Sequence, residues 1–398
     1  MIPPLPLADA QARLLALMQP LAAEIVPTAE AHGRILAQSL IARRTQPPAD
    51  LSAMDGYALC DGTSGPWRVV GESAAGHPYA GTLSRGEAVR ISTGAIVPQG
   101  ATTILLQEDA QREGNALLAP GAAPVKGRHI RRAGFDFSQG DALLPSGCRM
   151  TPARIALALS GGHGRLSVTR KPRVTLFDSG DELAADPEQC QAHQIPASNG
   201  AMLAALAASL PCILSRSGPV PDNRAALQTA LEHAGDADLI VTTGGASVGD
   251  HDLIRPALEH WGADIDFWRV AIKPGKPLLV ARRGRQIILG LPGNPVSGFV
   301  TAYLFMLPLI RALSGAVDVL PREMTARLGT ALPDTGKRME FVRAFWDGAQ
   351  IRAVQDQDSS ALAALSASNA LIIRPAKAPA IETGTYVPFY WLENGGIT

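Results

Sequence analysis

The sequence predicts an α/β protein of several domains: an open, largely parallel α/β domain, a β-rich module, a helical connector and a small C-terminal β-barrel. Three observations predict it. Strand-like and helix-like apolar patterns alternate across residues 171–318, as in a βα sheet. On either side, across 41–140 and 319–398, apolar runs are short and glycine and proline frequent, as in short strands joined by turns. The chain has 398 residues, 46% of them hydrophobic, enough to fill the cores of about two to four domains.

Residues 1–40 read as two helices, one with the stripe Leu14, Leu15 and Met18 and one with Ile35, Leu36 and Leu40; Pro20 and Pro27 bound the link. With 141–170 they form the expected connector and dimerisation region. Within the β-rich module, 67–70, 88–91, 103–106 and 116–118 read as strands. Thr151-Pro152 opens a helix, a capping hydroxyl before a proline, and Gly161-Gly162 closes it. A dimer seam is expected to cover the Leu14 stripe and a second one at Ile155, Leu157 and Leu159. The α/β domain reads as strands at 173–177, 212–215 and 239–242 and helices at 199–210, 222–233 (capped by Asp222) and 253–261. Extended segments follow at 265–272, 278–281 and 286–289, and then a long apolar helix from Pro295. The last segment, 319–398, reads as strands at 341–345, 351–354, 371–373 and 386–389 around a helix near 360–367.

Lys+Arg and Asp+Glu are both 36. Zero net charge and a pI near 7.1 argue against a general nucleic-acid or anionic-membrane binder, and 5% aromatics argue against a base-stacking platform. Cys60, Cys148, Cys190 and Cys212 form no CxxC or zinc spacing and read as reduced thiols of a cytoplasmic protein. The N-terminus lacks a basic signal-peptide region. The longest apolar stretch, 299–310, contains Thr301 and Pro308 and reads as a buried helix, too short to span a bilayer.

Four loops after predicted strands carry the chemistry. Phe177-Asp178-Ser179-Gly180-Asp181-Glu182-Leu183 sets three carboxylates and a hydroxyl around a glycine; alone it reads as a solvated turn. In 241–252 a strand runs into Gly244, Gly245, Ser247 and Gly249, then Asp250, His251 and Asp252, then a helix. Glycine lets backbone N–H groups approach an anion, and a helix N-terminus adds a favourable dipole. Asp250 and Asp252 suit either helix capping or Mg²⁺, a hard cation that takes oxygen ligands. In Ile272-Lys273-Pro274-Gly275-Lys276-Pro277 two lysines flank a Pro-Gly turn, a local positive site suited to phosphate or another oxyanion. In 289–297, Pro292, Gly293 and Asn294 lead into a helix that Pro295 begins and Asn294 can cap. All four loops are expected at the carboxyl edge of one sheet, where such folds bind ligands. The β-rich module adds turns with an acid or hydroxyl beside glycine, at Asp55, Thr93 and Asp136.

Taken together, SAMDGYA, STGAIVP, QED, RRAGFD, SGDEL, TTGGASVGDHD, KPGKP and LPGNPVSG occur in an order and spacing that resemble the molybdopterin molybdenumtransferase (MoeA) family, also found as the C-terminal part of gephyrin. The resemblance covers essentially the whole chain. It implies a MoaB/Mog-like α/β domain and insertion of molybdenum from molybdate into adenylylated molybdopterin, with release of AMP and the help of Mg²⁺. It also implies a homodimer with composite sites, and as partners the molybdopterin adenylyltransferase and cofactor-accepting enzymes. By motif, Asp55, Thr93, Asp136, Glu182, Asp222 and Asp252 would serve catalysis, with Glu182 and Asp252 on the metal. Gly244, Gly245, Ser247, Gly249, Asp250, Lys273, Lys276, Pro292, Gly293, Asn294 and Pro295 would hold the cofactor. The chain departs from the family pattern at Phe135, where an acid is usual, at Pro196-Ala197, and at Asp178-Ser179. The alternatives are a molybdopterin-binding scaffold without turnover and a molybdopterin adenylyltransferase, which shares the TTGGxSxGxxD-type loop but would not need the residues outside 171–318.

Overall fold

The computed structural model describes residues 3–60, 65–121, 123–244 and 253–392. Its central sheet has six strands in the order Ile213–Val220, Arg173–Ser179, Leu239–Thr243, Gln286–Leu291, Pro277–Arg283 and Asp264–Arg269. The first three pairings are parallel and the last two antiparallel. The switch has a local cause. Arg283 pairs with Gln286, and a two-residue connection can close only an antiparallel pair.

Alternation along the strands gives each face its own core. Val174, Leu176, Leu239, Val241 and Leu289 pack with the helix Asn199–Ala207 and the long apolar helix. Phe177, Ile240, Ile288, Leu279 and Ala281 pack with residues of Arg224–His233 and Ile254–His260.

The apolar helix runs Pro295–Leu313, with a π-helical stretch at Ala302–Met306. It is longer than the sequence suggests, and by length and composition it could cross a bilayer. However, 89% of it is buried inside the protein, so the fold itself covers its apolar faces. Pro308 has no N–H to offer the Leu304 carbonyl. Gln11 Nε2 donates to that carbonyl from the helix Leu7–Ala16, at 2.9 Å in a buried setting.

This docking corrects the expected dimer seam at the N-terminus, because Leu7, Ala10 and Leu14 join the α/β core of their own chain. Leu159, at 48% exposure, is the residue of the second stripe left most open. Gln11→Leu should strand the Leu304 carbonyl and lower stability by about 1–3 kcal/mol. Urea unfolding would measure this, and an unchanged midpoint would count against the anchoring role of Gln11.

The second predicted helix of residues 1–40 is absent. Ala23–Pro27 is instead a strand, antiparallel to Arg165–Thr169, followed by a single 3₁₀ turn at Thr28–Glu30. Ile35 and Leu36 bridge to Arg149 and Val168. Ile25-Val26 favour extended backbone, Gly33 takes φ +76°, and the strand partner lies more than a hundred residues away, so no local pattern announces it.

In the β-rich part the order is Thr103–Leu106, Gly56–Leu59, Glu87–Ile91, Trp67–Ser73, Ala116–Leu118 and Gln111–Glu113. Toward the C-terminus, Met339–Trp346, Gln350–Ala353, Met324–Leu328, Tyr386–Trp391 and Ala370–Arg374 pair in a ring that returns to Met339–Trp346, a closed five-stranded barrel. Ile272–Lys273 adds to it in parallel, placing Lys273 opposite Glu340.

Candidate functional site

Three groups of predicted residues emerge. The first lies at the carboxyl edge of the central sheet, where Arg173–Ser179 and Leu239–Thr243 end side by side, Asp178 paired with Thr243. Asp178 is only 4% exposed. Its carboxylate accepts the Thr243 hydroxyl at 2.6 Å and the Gly200 N–H at 3.0 Å. The Ser179 hydroxyl donates to Asp222 Oδ1 at 2.6 Å, and the Asp222 N–H donates to Asp181 Oδ1 at 3.0 Å. Glu182 folds back over Gly180, where a Cβ would come within 2.6 Å of its Oε2. Asn199 Nδ2 donates to the Gly293 carbonyl at 2.7 Å. A Cβ on Gly293 would touch Gly244 Cα at 3.4 Å. The first and fourth loops, with Gly244 of the second, therefore form one surface. Gly245, Ser247, Gly249, Asp250 and Asp252 lie outside the described residues.

Two capping expectations change. Asn223, not Asp222, caps Arg224–His233, its Oδ1 accepting the Ala226 N–H at 2.9 Å. Asp222 sits one position earlier and is taken by Ser179. The Asn294 side chain makes no cap on the Pro295 helix; its Nδ2 donates to Ser359 Oγ at 2.9 Å.

The second group is a cavity of about 340 Å³ between the Pro-Gly turn and the barrel. Lys273, Lys276 and Arg338 line it, with Ser297 and Ser359. Gly275, at φ +104°, lies so close to the long helix that a Cβ would meet Thr301 Cγ2 at 2.5 Å. Lys273 Nζ is 3.3 Å from Glu340 Oε1. The barrel loop is held from behind by the buried Arg343, whose Nη2 donates to the carbonyls of Asp356 at 2.8 Å and Asp358 at 3.0 Å. Arg338 and Ser359 escape sequence reasoning because no motif marks them. Only the pairing of Lys273 with Glu340 announces that the barrel wall is near.

The third group lies in the β-rich part. Asp55 Oδ1 accepts the Thr93 N–H at 2.6 Å, and that hydrogen bond, with one from the Thr93 side chain, holds the Asp55 carboxyl below its ordinary range. Arg90 donates to the Gly56 carbonyl at 2.9 Å and to Gln107 Oε1 at 2.7 Å, steadying the turn. Asp136 is exposed beyond the strand Ile130–Arg131, beside Phe135, which is 73% exposed. Among the described residues, no hydrogen bond or ion pair links Asp55, Thr93 or Asp136 to the loops of the central sheet.

All four cysteines are free, and burial pushes the Cys148 thiol up and that of Cys212 to about 11. Among the described residues no three His, Cys, Asp or Glu side chains gather as a metal site.

Comparison with known proteins covers almost the whole chain. Residues 5–162 match the MoeA N-terminal region (domain I and II), 177–312 a "Probable molybdopterin binding domain", and 325–392 the MoeA C-terminal region (domain IV). A molybdopterin molybdenumtransferase of Haemophilus influenzae is 34% identical over 383 residues, covering 93% of this chain and 95% of that protein. Another, of a Nostoc species, is 34% identical over 91% of this chain and 87% of its own. A crystal structure of a molybdopterin biosynthesis moeA protein from Pyrococcus horikoshii superimposes with a TM-score of 0.84 at 26% identity, over 98% of this chain and 100% of the other.

Proposed function

The chain belongs to the molybdopterin molybdenumtransferase (MoeA) family, a transferase of molybdenum cofactor biosynthesis, and from that premise we propose that it inserts molybdenum from molybdate into adenylylated molybdopterin and releases AMP. The observation that carries this reading is the cavity in which Lys273, Lys276 and Arg338 converge beside two serines. Three cations and hydroxyl donors suit a small tetraoxo dianion. The Gly244–Gly293 surface, with Asn199 and the helix that begins at Pro295, suits the phosphates and pterin of the other substrate.

Glu182 and Asp252 are the residues to hold Mg²⁺. The carboxylate of Glu182 has no hydrogen-bond partner among the described residues, and oxygen donors fit a hard cation. When bound, Mg²⁺ supplies Lewis acidity at the phosphate oxygens. Asp222, fixed by Ser179, orients groups beside it. Asp55, Thr93 and Asp136 would complete the site from a second subunit of a homodimer, because among the described residues no hydrogen bond or ion pair ties them to the central loops. The molybdopterin adenylyltransferase is the expected source of the nucleotide substrate.

Mixing the protein with Mg²⁺, molybdate and adenylylated molybdopterin should release AMP and leave molybdenum on the pterin. Nucleotide binding without AMP would favour the scaffold alternative. Lys276→Ala should weaken molybdate binding by about 1.5–3 kcal/mol and flatten its salt dependence. Calorimetry that finds equal affinity for molybdate would remove Lys276 from the site.

A further inference from the structure

We propose that Glu340 is an internal counter-anion of the cavity between the Pro-Gly turn and the barrel: it holds Lys273 in the free protein, opposes the entry of an oxyanion and keeps the bound ion exchangeable. The inference rests on the reading of that cavity as the molybdate site.

The strand pairing places Glu340 directly opposite Lys273, with 3.3 Å between Oε1 and Nζ. The Glu340 side chain is 18% exposed and that of Lys273 52%, so the carboxylate is the more deeply set partner. The Gly336 N–H approaches the same Oε1 at 3.4 Å. Behind it lies the buried Arg374, which senses the Glu340 charge while donating to the Pro379 carbonyl at 2.6 Å. Asp358, the other acid lining the cavity, is engaged differently: its Oδ1 accepts the N–H of Ser360 at 2.8 Å and its hydroxyl at 2.6 Å. Glu340 is therefore the carboxylate that competes for a cation the oxyanion needs.

An entering anion must draw Lys273 from Glu340 and also meets the field of that carboxylate. The repulsion scales with the charge of the ligand, so a dianion is opposed about twice as strongly as a monoanion of the same shape. The consequence suits a transferase, since a cavity with three cations and no opposing carboxylate would retain molybdate rather than pass it on.

Glu340→Gln keeps the shape and an acceptor for the Gly336 N–H but removes the charge. The probes are molybdate and perrhenate, tetraoxo anions of similar shape with two charges and one. Calorimetry at low salt should find molybdate bound roughly three- to tenfold more tightly by Glu340→Gln than by the wild type. Perrhenate should gain by a smaller factor, because the release of Lys273 helps both ions while the repulsion removed is half as large for a monoanion, and both gains should shrink as salt is added. A purely structural effect would change both ions alike, so equal factors, no change or weaker molybdate binding would overturn the proposal. Thermal unfolding of the variant checks that the barrel is intact. The controls separate the two readings. If Lys276→Ala weakens molybdate binding but Glu340→Gln does not tighten it, the counter-anion role fails alone. If neither the wild type nor Glu340→Gln binds molybdate, both fail.

Discussion

Replacing Asp55 by alanine should abolish molybdenum insertion, by at least about a hundredfold, while the protein unfolds at nearly its normal temperature. Asp55 is exposed, and its carboxylate accepts the Thr93 N–H from the neighbouring turn. Its loss opens no cavity and strands no buried group, so the cost falls on chemistry rather than on folding. Its carboxyl is held below the usual range, so it is a fixed anion at neutral pH, suited to orienting water or a metal-bound group. The sharper test uses two inactive proteins. Asp55→Ala mixed with Asp252→Ala should partially regain insertion once subunits exchange, because a mixed dimer carries one intact composite site. If exchange is verified and activity stays at zero, Asp55 and Asp252 do not act across subunits. Asp136→Ala should behave as Asp55→Ala does in the same exchange.

Gly244→Ala should be the most damaging single methyl group in the α/β part. Gly244 takes φ +84°, and a Cβ there would sit 2.1 Å from the Ser179 carbonyl oxygen. The obstacle is backbone on a buried strand, so no side-chain rotation relieves it. Strain and overpacking together should lower stability by about 2–5 kcal/mol. Displacement of the 178–182 turn, which carries Ser179, Asp181 and Glu182, should cut activity by roughly a hundredfold. Gly284→Ala is the control: its φ is +59° and nothing lies within 4 Å of the added methyl, so it should cost about 1 kcal/mol or less and spare activity. Equal denaturant midpoints for the two variants would show that the close approach at Gly244 is not what shapes the loop.

Much of the fold was legible. The strands at 103–106 and 116–118 occur as Thr103–Leu106 and Ala116–Leu118, and Thr151 caps Pro152–Ser160 through the Arg154 N–H. These features depend on neighbours within a few residues. The strand Met324–Leu328 carries no apolar run, only alternation over five positions, and its partners Gln350–Ala353 and Tyr386–Trp391 lie more than twenty residues away. The Ala23–Pro27 strand was missed because its partner is remote. Of the site, the glycine-flanked turns and the paired lysines were readable, since turn chemistry and local charge are written in adjacent residues. Asp178 read as part of a solvated turn, yet it is buried and ties Thr243 to Gly200.

The sequence by itself determined the family, through motifs whose order and spacing resemble it, and much of the order of strand and helix, because periodicity, turn geometry and motif spacing are written in short windows; the same windows mark the candidate residues for phosphate, oxyanion and metal chemistry. Only the tertiary structure decided which of them meet. It placed the N-terminal helix on the α/β core through Gln11, gave Asp222 to Ser179 rather than to a helix end, and set Glu340, Arg338 and Ser359 of the barrel against Lys273 and Lys276. Such meetings depend on strand register and packing between segments far apart in the chain. Those contacts are chosen by the burial of whole faces, and no local pattern encodes them.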